Sequence, residues 1–135
     1  MMDFFRLDTA DLRDQVVFGE NYIPQKYVGG IRRFDELTLR EIEELDDLGI
    51  VDLNDSQNDS PTAGEIIDFL KSRKTDGWYV HGYCVGPDRS DFRISFEGVG
   101  KHSAPSVQDI IDFSKLFRWA DEFEVSENGL RCWYD

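Results

Sequence analysis

Two periods alternate along this chain, an apolar residue every three or four positions and strict alternation of apolar with polar. The places where one gives way to the other mark its elements. From Thr38 to Leu48 the helical period is clean, with Leu39, Ile42, Leu45 and Leu48 in one stripe. Thr38 stands three residues before Glu41, the spacing at which a helix start caps itself reciprocally. Gly49 follows as a C′ stop that brings Ile50 back against Leu45. A shorter helix is expected over Thr9 to Val17, whereas Asn21, Pro24, Gly29 and Gly30 make the stretch up to residue 37 read as loop.

The helical stripe occurs twice more, in related sequence. Pro61-Thr62-Ala63-Gly64-Glu65-Ile66-Ile67-Asp68-Phe69 returns 44 positions later as Pro105-Ser106-Val107-Gln108-Asp109-Ile110-Ile111-Asp112-Phe113. Each copy opens with a Thr or Ser three residues ahead of a carboxylate and runs on into strand-like sequence, which predicts an αββ unit present twice. Lys71, Arg73 and Lys74 suit the negative end of the first helix dipole. In the second copy Phe113, Leu116, Phe117, Ala120 and Phe123 keep helical spacing, so periodicity alone allows that helix to run past Trp119.

Trp78 to Val85 and Phe92 to Glu97 are predicted strands, joined through Gly86, Pro87 and Asp88. In the second of them Phe92, Ile94 and Phe96 alternate with Arg93, Ser95 and Glu97, the pattern of a strand with one wet face. Asn128-Gly129 predicts a type I′ hairpin with Val125 opposite Cys132, Phe123 opposite Tyr134, Glu124 opposite Trp133 and Ser126 opposite Arg131. The architecture expected is α+β: a mostly antiparallel sheet of about four strands with the two repeated helices on one face. The Thr38–Leu48 helix would lie at an edge or over the other face. Asp52 to Ser60 is a polar linker. It divides a single domain into an acidic helical and loop segment, 1–59, and the duplicated αββ unit, 60–135.

Composition changes this picture chiefly through charge. The chain carries a formal −13, and residues 35–59 hold ten carboxylates against a single cation, Arg40. Such a field repels nucleic-acid phosphates and anionic lipid and attracts a basic partner. Glu41, Glu43, Glu44, Asp46 and Asp47 make the helix in this segment the candidate acidic surface. No apolar run approaches the roughly 20 residues of a membrane span, and the first residues lack a cationic region followed by an apolar one, so a cytoplasmic, unprocessed chain is expected. Cys84 and Cys132, each inside a strand-like run, read as buried thiols rather than a disulfide framework.

Catalytic and metal motifs do not assemble from this sequence. Gly98-Val99-Gly100-Lys101 resembles the end of a phosphate-binding loop, but Ser95 stands where the first Gly is needed and His102 where Ser or Thr would hold magnesium; a flexible strand-to-helix connection is expected instead. Asn54, Ser56, Asn58, Ser60, Thr62 and Glu65 fall at calcium-loop offsets, yet Asp59 occupies the glycine position, so the run reads as linker. His81 and Cys84 would point to opposite faces of one strand, leaving the thiol buried and the imidazole wet. No cofactor or metal is called for.

What remains is a surface. With Trp78, Val80 and Cys84 turned to the helices, Tyr79, His81 and Tyr83 turn away, on the side of Arg93 and Ser95 and of Arg131 and Trp133. Aromatic rings interleaved with Arg provide area, stacking and hydrogen bonds at low entropic cost, so these residues are the candidate binding face unless residues 1–37 cover it. The function expected is that of a non-enzymatic interaction protein meeting a macromolecular, basic partner; an inhibitor or immunity-type protein is one form of this. The alternative is a small enzyme or ligand-binding domain using Tyr79, His81, Tyr83 and Arg93. Arg131 to Asp135 reads as a β-edge, open to pairing with another chain or simply a terminal edge strand.

Overall fold

Capping decides where the helices begin in the computed structural model, which describes residues 4–56, 58–73 and 76–134. Glu41 accepts from the Thr38 amide at 3.1 Å and starts α2 (Leu39–Asp47). The same exchange between Thr62 and Glu65 starts α3 (Ala63–Lys71), and between Ser106 and Asp109 it starts α4 (Val107–Leu116). α2 ends in a Schellman motif: Gly49, at φ +74°, donates to the Asp46 carbonyl at 2.9 Å and Ile50 donates to Leu45 at 3.0 Å. The helix α1 (Phe4–Phe18) is longer at both ends than its expected core of Thr9 to Val17. Lys74, expected at the close of α3, lies outside the described residues.

The sheet is antiparallel and has five strands rather than about four, in the order β1-β2-β3-β5-β4. The unexpected member is β1 (Ile31–Leu37), from a stretch that reads as loop. Gly29 and Gly30, both at positive φ, turn the chain tightly into it, and a bulge at Asp35 and Glu36 separates inward-facing Phe34 from inward-facing Leu37. That extra residue breaks the alternation by which a strand is read. β2 (Trp78–Val85) matches its expected span. β3 (Ile94–Lys101) begins two residues later than expected and continues through Gly98-Val99-Gly100-Lys101, so this run is strand and not a flexible connection.

The β4 (Glu122–Ser126) and β5 (Gly129–Trp133) hairpin is shifted by two residues from the expected register. Phe123 faces Cys132, Glu124 faces Arg131 and Val125 faces Leu130 across a Glu127-Asn128 turn. Gly129 is needed elsewhere: a Cβ there would collide with the Lys101 carbonyl oxygen where β5 meets β3. A shift of two keeps every side chain on its face, which is why the facing of these residues is as expected although the register is not. β5 is interior and β4 is the edge, so the edge expected at Arg131 to Asp135 is displaced.

Phe34, Leu37, Val80, Cys84, Ile94, Phe96, Val99, Leu130 and Cys132 all point to one side, into a single core. There α2 contributes Ile42 and Leu45, α3 contributes Ile66 and Phe69, and α4 contributes Phe113 and Phe117. α2 therefore packs on the same face as the repeated helices, not at an edge or over the other face. Phe69 is the hub, 5.2 Å from Trp78, 6.1 Å from Phe113 and 5.5 Å from Phe117. Arg73 links α3 to α4 through Asp109 at 3.3 Å and Asp112 at 2.9 Å.

Gly82 lies between Phe34 and Phe96 in the core, and a Cβ there would strike the Ser95 carbonyl oxygen and reach 3.0 Å from the Phe34 ring. Gly82→Ala is expected to cost about 2–3 kcal/mol by overpacking. Gly49→Ala, with open space around it but a positive φ, is expected to cost about 1 kcal/mol. Urea denaturation of the two variants tests the ranking.

Candidate functional site

The face of the sheet opposite the helices carries most of the chemistry. Cross-strand rows order it, since residues directly opposite in an antiparallel pair share a face. One row runs Tyr79, Gly100, Arg131, Glu124; a second pairs His81 with Gly98 and, in the hairpin, Trp133 with Glu122; a third runs Arg33, Tyr83, Ser95. Of the stretch 1–37, the described residues do not cover this face: β1 extends the sheet sideways, and α1 joins the core through Val17.

Two glycines form the floor. A Cβ on Gly98 would overlap the His81 ring, and one on Gly100 would overlap Tyr79. Both rings thus lie flat on the backbone of β3, as aromatic side chains do when they cover cross-strand glycines. Tyr79 stacks on His102 at 4.2 Å, and His102 in turn bonds Glu36 at 2.8 Å. His81 packs against Trp133 at 4.5 Å, and Arg131 sits over Trp133 at 4.9 Å. At the far end Arg93, just ahead of β3, donates to the Tyr83 hydroxyl at 2.9 Å, and Arg33 bonds Glu97 at 2.6 Å.

His81 is therefore not wet, being 5% exposed. Its Nε2 donates to the Cys132 carbonyl at 2.9 Å, and Nδ1 has no partner. A carbonyl only accepts, so Nε2 carries a proton. Burial holds its pKa below the ordinary value. Cys84 is on the opposite face, as expected from the spacing, so the two side chains do not meet. Burial pushes both Cys84 and Cys132 up to about 12, which removes thiolate chemistry at neutral pH.

Among the described residues, Tyr79 and Arg93 border different cavities. Tyr79 borders a shallow groove of about 260 Å³ with His102, Glu124 and Arg131. Arg93 borders a separate cleft of about 400 Å³ lined by Thr9, Ile50, Asp52, Asp55 and Asp91. On α2, Glu43, Glu44 and Asp47 are exposed, Asp46 is half-buried and Glu41 is engaged with Thr38. In the polar linker Asp52 accepts from the Asn54 amide at 3.0 Å, and the Leu53 and Asp55 carbonyls accept the first amides of α3. Among the described residues no three His, Cys, Asp or Glu form a metal-holding group, and no helix is long and apolar enough to cross a membrane.

One buried polar group was not anticipated. Arg13, fully buried, donates to Asp14 at 2.9 Å, to the Val85 carbonyl at 2.8 Å, to the Arg93 carbonyl at 3.2 Å and to the Tyr27 hydroxyl at 3.1 Å. Tyr27 also donates to Asp14, and burial, together with that carboxylate, raises the Tyr27 pKa. The signal for this group was the stripe Ala10, Arg13, Asp14, Val17, whose helical spacing turns a charged pair toward the core. Its donors and acceptors bond to one another and to backbone, so it ties α1 to the β2–β3 connection rather than forming a site.

Arg13→Met is expected to cost about 3–5 kcal/mol, because it strands Asp14 as a buried charge. The double variant Arg13→Met/Asp14→Leu should recover part of that loss in urea denaturation. For His81 the folded state binds a proton less readily than the unfolded chain. Its contribution to stability is therefore complete above about pH 6.5 and falls as the pH drops below that value. A stability series across this range should show a slope that shrinks in His81→Gln.

No family model matches this chain, and no curated protein or solved structure matches it, so the chemistry of these residues is the basis for a functional reading.

Proposed function

We propose that this chain is a non-enzymatic protein-binding domain whose contact surface is the helix-free face of the sheet. The observation that carries this reading is the fixed aromatic array on that face. Tyr79, Tyr83 and Trp133 are half-buried, oriented by glycine floors and by Arg93 and Arg131, and not covered by any described helix. Rings held in one orientation lose little entropy on binding, and aromatic and Arg side chains dominate interface energetics. His81 supports the array from beneath Trp133.

The partner we infer is basic. Residues 35–59 concentrate ten of the chain's carboxylates, and α2 presents Glu43, Glu44 and Asp47 to solvent. This field steers a cationic protein toward the domain and sets the salt dependence of the encounter, while the aromatic face supplies the contact. An inhibitor or immunity-type protein that masks a basic site is the form of interaction this combination suits. The small-enzyme alternative finds less support, because Tyr79 and Arg93 border separate cavities and His81 is buried. We also read α3-β2-β3 and α4-β4-β5 as two copies of one unit, meeting where β3 pairs with β5. Two free, buried cysteines fit the reading of a cytoplasmic chain.

The test is affinity capture from lysate of the source organism at low and high salt. It compares the wild type, Tyr79→Ala/Trp133→Ala, and a variant neutralised at Glu41, Glu43, Glu44, Asp46 and Asp47. The aromatic pair should lower the affinity for the captured protein by at least about tenfold with unchanged circular dichroism, and the neutralised variant should flatten the salt dependence. Retention indifferent to both sets of changes would remove this reading.

A further inference from the structure

β4 has an open edge and an uncovered apolar side. Among the described residues it pairs with β5 alone, and all five of its residues are exposed, although Phe123 and Val125 point to the helix side opposite Cys132 and Leu130. The Phe123 ring touches Phe113 of α4 at 5.1 Å but remains 41% exposed, and Val125 is 43% exposed. Asp109 and Asp112 turn toward α3 through Arg73. Val107 and Ile111 of α4 are exposed as well. An edge strand beside exposed apolar surface is a template for another strand unless charge or a bulge blocks it. Here the charge is of one sign: Glu122 and Glu124 occupy the outer-face positions of β4, with Asp121 and Glu127 at its ends. Arg131 faces Glu124 and lies 3.9 Å from Glu122.

We infer that the free edge of β4 is a strand-addition site for a partner segment in which apolar residues alternate with Lys or Arg. An added strand of that pattern lays its apolar side chains against Phe123 and Val125, and its cations against Glu122 and Glu124. Main-chain pairing supplies affinity and the alternate pockets supply selectivity. A second copy of this chain does not fit. Two-fold pairing of β4 with Phe123 opposite Val125 of the copy sets Glu124 against Glu124, in a chain of net charge −13. Nor does head-to-tail pairing with β1, where Arg33 is bound to Glu97 and Arg32 to the Phe18 ring and the Asn21 carbonyl. The backbone of Val28 also folds onto the first residue of β1.

This inference rests on the reading of the chain as a protein-binding domain, but its main-chain and apolar contacts are the free edge and helix side of β4, and only Glu122 and Glu124 border the face of Tyr79 and Trp133. Capture through that face, lost in Tyr79→Ala/Trp133→Ala, and strand addition at β4 can therefore fail separately. The probe is a synthetic peptide of about seven residues alternating Val and Lys, titrated into the intact chain beside a peptide of the same composition with its lysines in one block. The alternating peptide should bind at least about tenfold more tightly, with amide shifts confined to Glu122–Ser126 and its strand neighbours. Glu122→Gln/Glu124→Gln should weaken binding by roughly tenfold and flatten its salt dependence. These exposed positions keep the variant folded, and the shift map of the wild type does not depend on it. Equal binding of the two peptides, shifts centred elsewhere, no binding, or self-association of the chain through β4 would each overturn the proposal.

Discussion

One extra residue in β3 organises both faces of this sheet. Between Phe96 and Val99, which both enter the core, Glu97 and Gly98 both turn outward, because β2 pairs His81 with Gly98 and Gly82 with Phe96. The bulge gives Glu97 its reach to Arg33 and places a glycine under His81. On the inner side it leaves Gly82 as the gap that Phe34 and Phe96 close edge to face at 6.5 Å. Bulges re-aim side chains at the cost of ladder regularity, and here the re-aimed residues belong to the core and to the outer face at once.

Placing all the described helices on one face has a second consequence. The chain buries its aliphatic and Phe side chains on that side, so the opposite side is stabilised by other means: rings lying on glycines, cations over rings, and ion pairs such as Arg33 with Glu97. These contacts are individually small, about 0.5–1 kcal/mol for an exposed cation over an aromatic ring. Their value is orientational. They hold Tyr79 and Trp133 in one orientation in the free chain, the pre-ordering that the proposed contact surface requires.

Charge is distributed to match. The core-facing stripe of α1 spends a charged pair, Arg13 and Asp14, on anchoring the helix to the ends of β2 and β3. Among the described residues, the carboxylates of α2 are not tied in this way, apart from Glu41 in its cap. The acidic residues of β4 sit on an edge where they discourage pairing with a like-charged copy while leaving it open to a cationic strand. Electrostatics thus acts in three ways here: as a buried anchor, as a long-range field and as a filter on an edge.

Local interactions made much of this architecture legible in the sequence. The capping spacings at Thr38, Thr62 and Ser106, the Gly49 stop and the strand Trp78–Val85 depend on residues a few positions apart, and they appear where expected. The facing of Tyr79, His81 and Tyr83 follows from period two alone. Tertiary structure decided the rest. β1 was hidden because its bulge interrupts the alternation, and the hairpin register moved because Gly129 answers to the Lys101 carbonyl of a distant strand rather than to its own turn. His81 became buried because Gly98 and Trp133, remote in sequence, close around it. Sequence determines what each residue prefers next to its neighbours; which backbone comes close enough to require a glycine, or which ring covers which, is set only when strands far apart in the chain are brought side by side.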